Sequence, residues 1–110
     1  MNIILGGRGS GKTVLIVRLS SETQIPILVG SHRCAERIKL VAEKMNLKIP
    51  EPIVYNEHME DKFAGSSSKE VYIDDVDWVL QRILGTVKVN TITMNNDGFN
   101  VLDIGGPKCD

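Results

Sequence analysis

Near the start of the chain, the run Gly6-Gly7-Arg8-Gly9-Ser10-Gly11-Lys12-Thr13 has the residue types and spacing that phosphate chemistry asks for. It satisfies the pattern G-x-x-x-x-G-K-[ST] at every fixed position. A phosphate chain carries several negative charges and is approached most closely by backbone N–H groups. Glycines permit the unusual dihedrals this needs and remove side-chain bulk. N–H groups at a helix N-terminus form a concave nest, and the helix dipole there favours an anion. Lys12 has the reach for β- and γ-phosphates, and the Thr13 hydroxyl is a ligand for Mg²⁺. The expected binding set is Gly6, Gly7, Arg8, Gly9, Ser10, Gly11, Lys12, Thr13 and Val14, with Arg8 either touching phosphate or facing solvent. The alternative is a glycine-rich turn that holds no ligand.

A second group of residues complements the first. The string Val71-Tyr72-Ile73-Asp74-Asp75 reads as a strand ending in two carboxylates. A magnesium ion on phosphates needs a hard oxygen ligand, and Asp74 at the tip of a strand supplies one. Asp75 then either orients and polarises an attacking water or serves as an acid at the N-terminus of the next helix. Lys12 and Asp75 are the expected catalytic residues; Thr13 and Asp74 are the expected metal ligands. Asp77, in the first turn of that helix, reads as a dipole partner.

The elements that must position these groups follow from the apolar pattern. Ile3-Ile4-Leu5 is a buried strand leading into the glycines, and the helix after them begins near Lys12. Val14, Leu15, Ile16, Val17 and Leu19 make that helix apolar on nearly all sides, as for one packed under other elements. Residues 26–30 form a second buried strand. Ser31 then caps a helix whose inner face is Ile38, Val41, Ala42 and Met45; its charged residues, Arg37 among them, cover a solvated face. Pro50 and Pro52 break this helix and precede a short strand at Ile53-Val54-Tyr55. Residues 56–69 are polar and end in a Gly-Ser loop. Val76, Val79, Leu80 and Ile83 give a further helix closed by Gly85. Residues 87–94 and 99–104 are strand-like, and Asn95-Asn96-Asp97-Gly98 between them predicts an antiparallel hairpin. Alternating strands and helices imply a parallel α/β sheet.

These two motifs resemble the Walker A and Walker B motifs of P-loop NTPases. The order of elements is similar to the division with an additional strand between the motif strands, which includes RecA-like, AAA-type and helicase-like ATPases. The resemblance implies one minimal nucleotide-binding domain over residues 1–110, with a three-layer α/β P-loop NTPase fold, a mainly parallel sheet and a C-terminal antiparallel hairpin strand. It implies ATP and Mg²⁺ as ligands and slow ATP hydrolysis. Small phage or mobile-element ATPases accessory to DNA replication or packaging are the nearest analogy, with a protein partner, a homo-oligomer or DNA as the implied partners. The division usually places glutamate after the Walker B aspartate, where this chain has Asp75, and a polar residue at the end of the following strand, where Thr93 or Asn95 stands. A nucleotide-dependent binding module without turnover and a small nucleotide or nucleoside kinase are the alternatives. The guanine-reading motif Asn-Lys-x-Asp has no match, since Asn95-Asn96-Asp97-Gly98 lacks its lysine; this favours ATP over GTP. No arginine-rich lid is visible for a kinase, and Arg82 is the one arginine after Arg37 to serve a neighbouring subunit.

Composition agrees with a globular domain. The chain has 110 residues, 42% hydrophobic and 25% charged, and its 13 basic and 14 acidic residues leave a net charge of −1. That excludes binding dominated by bulk positive charge. No apolar run approaches the ~20 residues of a membrane helix, and no signal peptide opens the sequence. Cys34 and Cys109 read as free thiols in a reducing cytosol. His32 and His58 match no metal spacing, and Trp78 reads as a packing residue able to report on ligands.

Overall fold

Three consecutive apolar residues, Ile27, Leu28 and Val29, are all buried, as expected of a strand covered on both faces. This strand is the centre of the computed structural model, which describes residues 1–56, 59, 69–95, 98 and 100–105. The elements run β1 (Asn2–Leu5), α1 (Lys12–Thr23), β2 (Ile27–Val29), α2 (His32–Lys44), β3 (Ile53–Val54), β4 (Tyr72–Ile73), α3 (Val76–Leu84) and β5 (Asn100–Asp103). Strand β2 lies between β3 and β4, and all three are parallel. A second sheet pairs β1 with β5, also parallel. The fold is therefore α/β, with three helices and parallel strands among the described residues.

The core is where α1 and α2 pack on β2. Ile16 and Val17 of α1 meet Ile27 and Val29 of β2 and Ala35, Ile38 and Ala42 of α2. Two features differ from the sequence reading of these helices. First, α1 is not buried on all sides: Val14 is 40% exposed, and the same face carries exposed Arg18 and Glu22. Second, α2 stops at Lys44, well before Pro50. Asn46 adopts a left-handed conformation (φ 56°), and Leu47 N–H closes back on the Ala42 carbonyl at 2.9 Å. The cap at the other end is as expected, with Ser31 Oγ accepting from Cys34 N–H at 3.3 Å.

The expected C-terminal antiparallel hairpin is replaced by a different pairing. Residues 87–94 form no strand, so β5 has no neighbour in sequence to turn back on. It runs instead beside β1 in parallel, from Asn2↔Asn100 to Leu5↔Asp103. Side chains reinforce the register, Asn100 Nδ2 donating to Asn2 Oδ1 at 3.1 Å. Val101 and Leu102 face opposite sides of β5 and are 54% and 52% exposed, so neither face of that strand is covered by the described residues. Most of the loop over residues 56–69, together with Asn96, Asp97, His58 and Cys109, lies outside the described residues. No described helix is long and apolar enough to cross a membrane.

Helix α3 is fastened to the end of β2 by close contact at Gly30. A Cβ at Gly30 would lie 2.6 Å from Trp78 Cδ1, and Arg82 Nε donates to the Gly30 carbonyl at 3.0 Å. Gly30→Ala is therefore expected to push the half-exposed indole aside, at about 1 kcal/mol or a drop of a few degrees in melting temperature. The chain's single tryptophan makes the shift visible, and an emission spectrum unchanged in the variant would contradict the contact.

Candidate functional site

The glycine run leaves β1 at Leu5 and enters α1 at Lys12. Gly11, the residue before the helix, has φ 95°, a conformation that a side chain would strain. Gly6 is needed for space: a Cβ there would collide with the Ser10 hydroxyl and lie 2.8 Å from Ile104 Cγ1. The loop is tied to the second sheet by Gly7 N–H to the Gly105 carbonyl at 2.9 Å. Within it, Ser10 N–H donates to the Gly7 carbonyl at 3.1 Å.

Other polar groups of the loop are without partners. Among the described residues, the N–H groups of Gly9, Gly11, Lys12 and Thr13 have no backbone acceptor. Ser10 Oγ is buried and likewise has no hydrogen-bond partner there. A buried hydroxyl left alone costs about 1–3 kcal/mol. Lys12 curls back over the loop and donates from Nζ to the carbonyls of Gly6 at 2.7 Å and Gly7 at 2.9 Å. Arg8 and Val14 are exposed.

Asp74 comes to this loop from a remote part of the sequence. Strand β4 pairs with β2, and Asp74 N–H donates to the Leu28 carbonyl at 3.3 Å. This sets its carboxylate at the N-terminus of α1, where Thr13 Oγ1 donates to Asp74 Oδ2 at 3.2 Å across 61 positions. The other end of α1 is held to the same strand, Thr23 Oγ1 and the Tyr72 hydroxyl lying 3.0 Å apart. Asp75 follows with its backbone in the left-handed region (φ 58°, ψ 69°) and its side chain exposed. Its carbonyl accepts from Trp78 N–H and Val79 N–H, but its carboxylate makes no cap hydrogen bond to α3.

Burial holds the Asp74 carboxyl above its ordinary pKa, and the Asp75 charge pushes it the same way. The Thr13 hydroxyl, the Arg37 guanidinium and the Lys12 ammonium oppose this. Arg37 is exposed, as expected of a solvated face, and its charge also reaches Asp74. Helical periodicity alone could not show this, because it depends on how β2 and β4 pair. Two expectations change. Arg82 is engaged with Gly30 of its own chain, and the strand that would carry Thr93 or Asn95 toward Asp74 is not formed.

Compared with protein-family models, with curated proteins and with solved structures, the chain matches none.

A raised carboxyl pKa in the fold means that protonated Asp74 favours folding. Its stabilising contribution is present at low pH and lost as pH rises through the folded-state pKa. Asp74→Asn keeps an acceptor for Thr13 and removes the buried charge. The variant is expected to melt above the parent at neutral pH, with the gap closing as the solution is acidified. A variant that melts lower at pH 7 would show that the ionised carboxylate stabilises the fold.

Proposed function

We propose that the chain binds Mg·ATP at residues 6–14 and hydrolyses it slowly, as a minimal P-loop NTPase of the additional-strand division. The observation that carries this reading is the 3.2 Å hydrogen bond from Thr13 to Asp74, which joins the two sequence motifs at one point. The unpartnered N–H groups of the loop and the orphaned Ser10 hydroxyl fit an anion in the loop. Thr13 Oγ1 and Asp74 Oδ2 are adjacent hard oxygens, which fits magnesium with its remaining ligands from phosphate and water. Bound there, magnesium would neutralise charge across the phosphates.

The chain's own groups take distinct roles. The loop N–H groups would hold phosphate oxygens, and Lys12 would turn from the Gly6 and Gly7 carbonyls to the phosphates. Thr13 and Asp74 would hold the metal. Asp75 would accept a hydrogen bond from the attacking water and orient it.

A second reading, a nucleotide-dependent binding module without turnover, is favoured by the missing strand over residues 87–94 and by the engagement of Arg82. Phosphate release from Mg·ATP, with Lys12→Ala as the blank, tests the first reading. Release is expected from the parent chain and none above background from the blank. Asp75→Asn is expected to keep nucleotide affinity and lose about a hundredfold or more in turnover, the scale of one general base. Tight binding without any release from the parent would instead establish the binding module, and no binding would defeat both readings.

A further inference from the structure

We propose that β5 is an association edge, along which β5 of a second copy of this chain adds antiparallel, about a two-fold axis at Leu102. Among the described residues β5 is the last strand of its sheet, with β1 on one side only. Asn100 N–H donates to the Met1 carbonyl at 3.4 Å and Ile104 N–H to the Leu5 carbonyl at 2.8 Å. Even-numbered residues therefore turn their backbone groups to β1, and those of Val101 and Asp103 point outward. Among the described residues these outward groups have no hydrogen-bond partner. Exposed edges of this kind are commonly blunted by charge or proline. Asn100, Val101 and Leu102 carry neither, and the Asp103 carboxylate is turned to Gly105 N–H at 2.8 Å.

The faces of the pair ask for company as well. Parallel strands are almost always covered on both faces, and two strands alone are marginal. Here Val101 and Leu102 lie on opposite faces, 54% and 52% exposed. The occupant follows from the register. Residues exchange hydrogen bonds across an antiparallel ladder only when both turn their backbone groups to the partner. This leaves Val101, Leu102 or Asp103 to sit on the axis. Asp103 there would set two carboxylates against each other, and Val101 there would pair Asp103 beyond the end of the strand. With Leu102 on the axis, Val101 meets Asp103 of the second copy and Asp103 meets its Val101, so both outward residues are used. The two Leu102 side chains then form the closer, non-hydrogen-bonded kind of pair. Ile4 stands in register beside Leu102 on β1, so an apolar row of Ile4, Leu102, Leu102 and Ile4 crosses the joined sheet. The edge is thus complementary to itself.

Sedimentation of the whole chain over a range of concentrations tests this, with the mass expected to rise toward twice that of one chain. Leu102→Glu and Leu102→Lys each set like charges face to face on the axis, and each is expected to weaken association about a hundredfold or more. Mixing the two variants is expected to restore it, because the axis then opposes glutamate to lysine, as happens only where a residue meets its own copy. Amide hydrogen exchange gives a readout on the parent chain, which decides the matter should a variant fail to fold. Val101 and Asp103 are expected to be protected at high concentration and to exchange freely at low, while Leu102 and Ile104 stay protected at both. A parent chain that remains monomeric, or a dimer in which Val101 and Asp103 exchange freely, overturns the proposal. Variants that associate as the parent does, or a mixture that gains nothing over either variant alone, overturn it too.

Discussion

A carboxylate drawn partly out of water has to be matched by donors and positive charge, and Asp74 imposes that demand on this fold. It stands at the end of a two-residue strand with its own backbone bonded to Leu28. Helix α1 answers with Thr13 at one end and fixes its orientation with Thr23 at the other. The span from Thr13 to Thr23 is about 15 Å along a helix, against roughly 7 Å between Asp74 and Tyr72 along a strand. The length of the tyrosine side chain covers much of the difference, so α1 lies along β4 with both ends tied. Lys12 and Arg37 complete the compensation from two different helices. Burial still outweighs these donors, so the ionised carboxylate weakens the fold.

The packing is divided unevenly around this point. Strand β2 and the inner faces of α1 and α2 hold nearly all the fully buried side chains. The β1–β5 pair is held chiefly by ladder hydrogen bonds and leaves Val101 and Leu102 in solvent. The glycine loop joins these two unequal parts. Its first half is bonded to the open sheet through Gly7 and Gly105, and its second half begins the helix that enters the core. Asp75 adds local tension: a non-glycine residue in the left-handed region costs about 1 kcal/mol or more, and here it aims an exposed carboxylate beside Asp74.

Much of this was legible in the sequence, for reasons that differ by element. The glycine loop was legible as a tight link from strand to helix because Gly6 has no room for a side chain and Gly11 takes a positive φ. The Ser31 cap and the Gly85 stop were legible because they act within one turn of chain. Asp74 was legible as the end of a β-rich run. The end of α2 was misread, since Pro50 is a strong breaker but Asn46 had already stopped the helix. The hairpin was misread because its turn signal is local, whereas β5 is recruited by the far end of the chain. Arg37 and the Gly30–Trp78 contact could not be read at all. Both depend on the lateral order of strands, which hydrophobic periodicity does not encode.

Lys12 carries a kinetic consequence. Its ammonium holds the Gly6 and Gly7 carbonyls. The loop is thus held in shape by its own cation, and on the function proposed above a phosphate would enter by exchange rather than by simple addition. Two hydrogen bonds would be broken as others form, so the exchange would offset part of what the new contacts contribute. Arrival at the loop would then be separate from capture, which would wait for the lysine to leave the two carbonyls. Ligands too short to draw the ammonium away would depart as quickly as they came, so the proposed site would select by residence time.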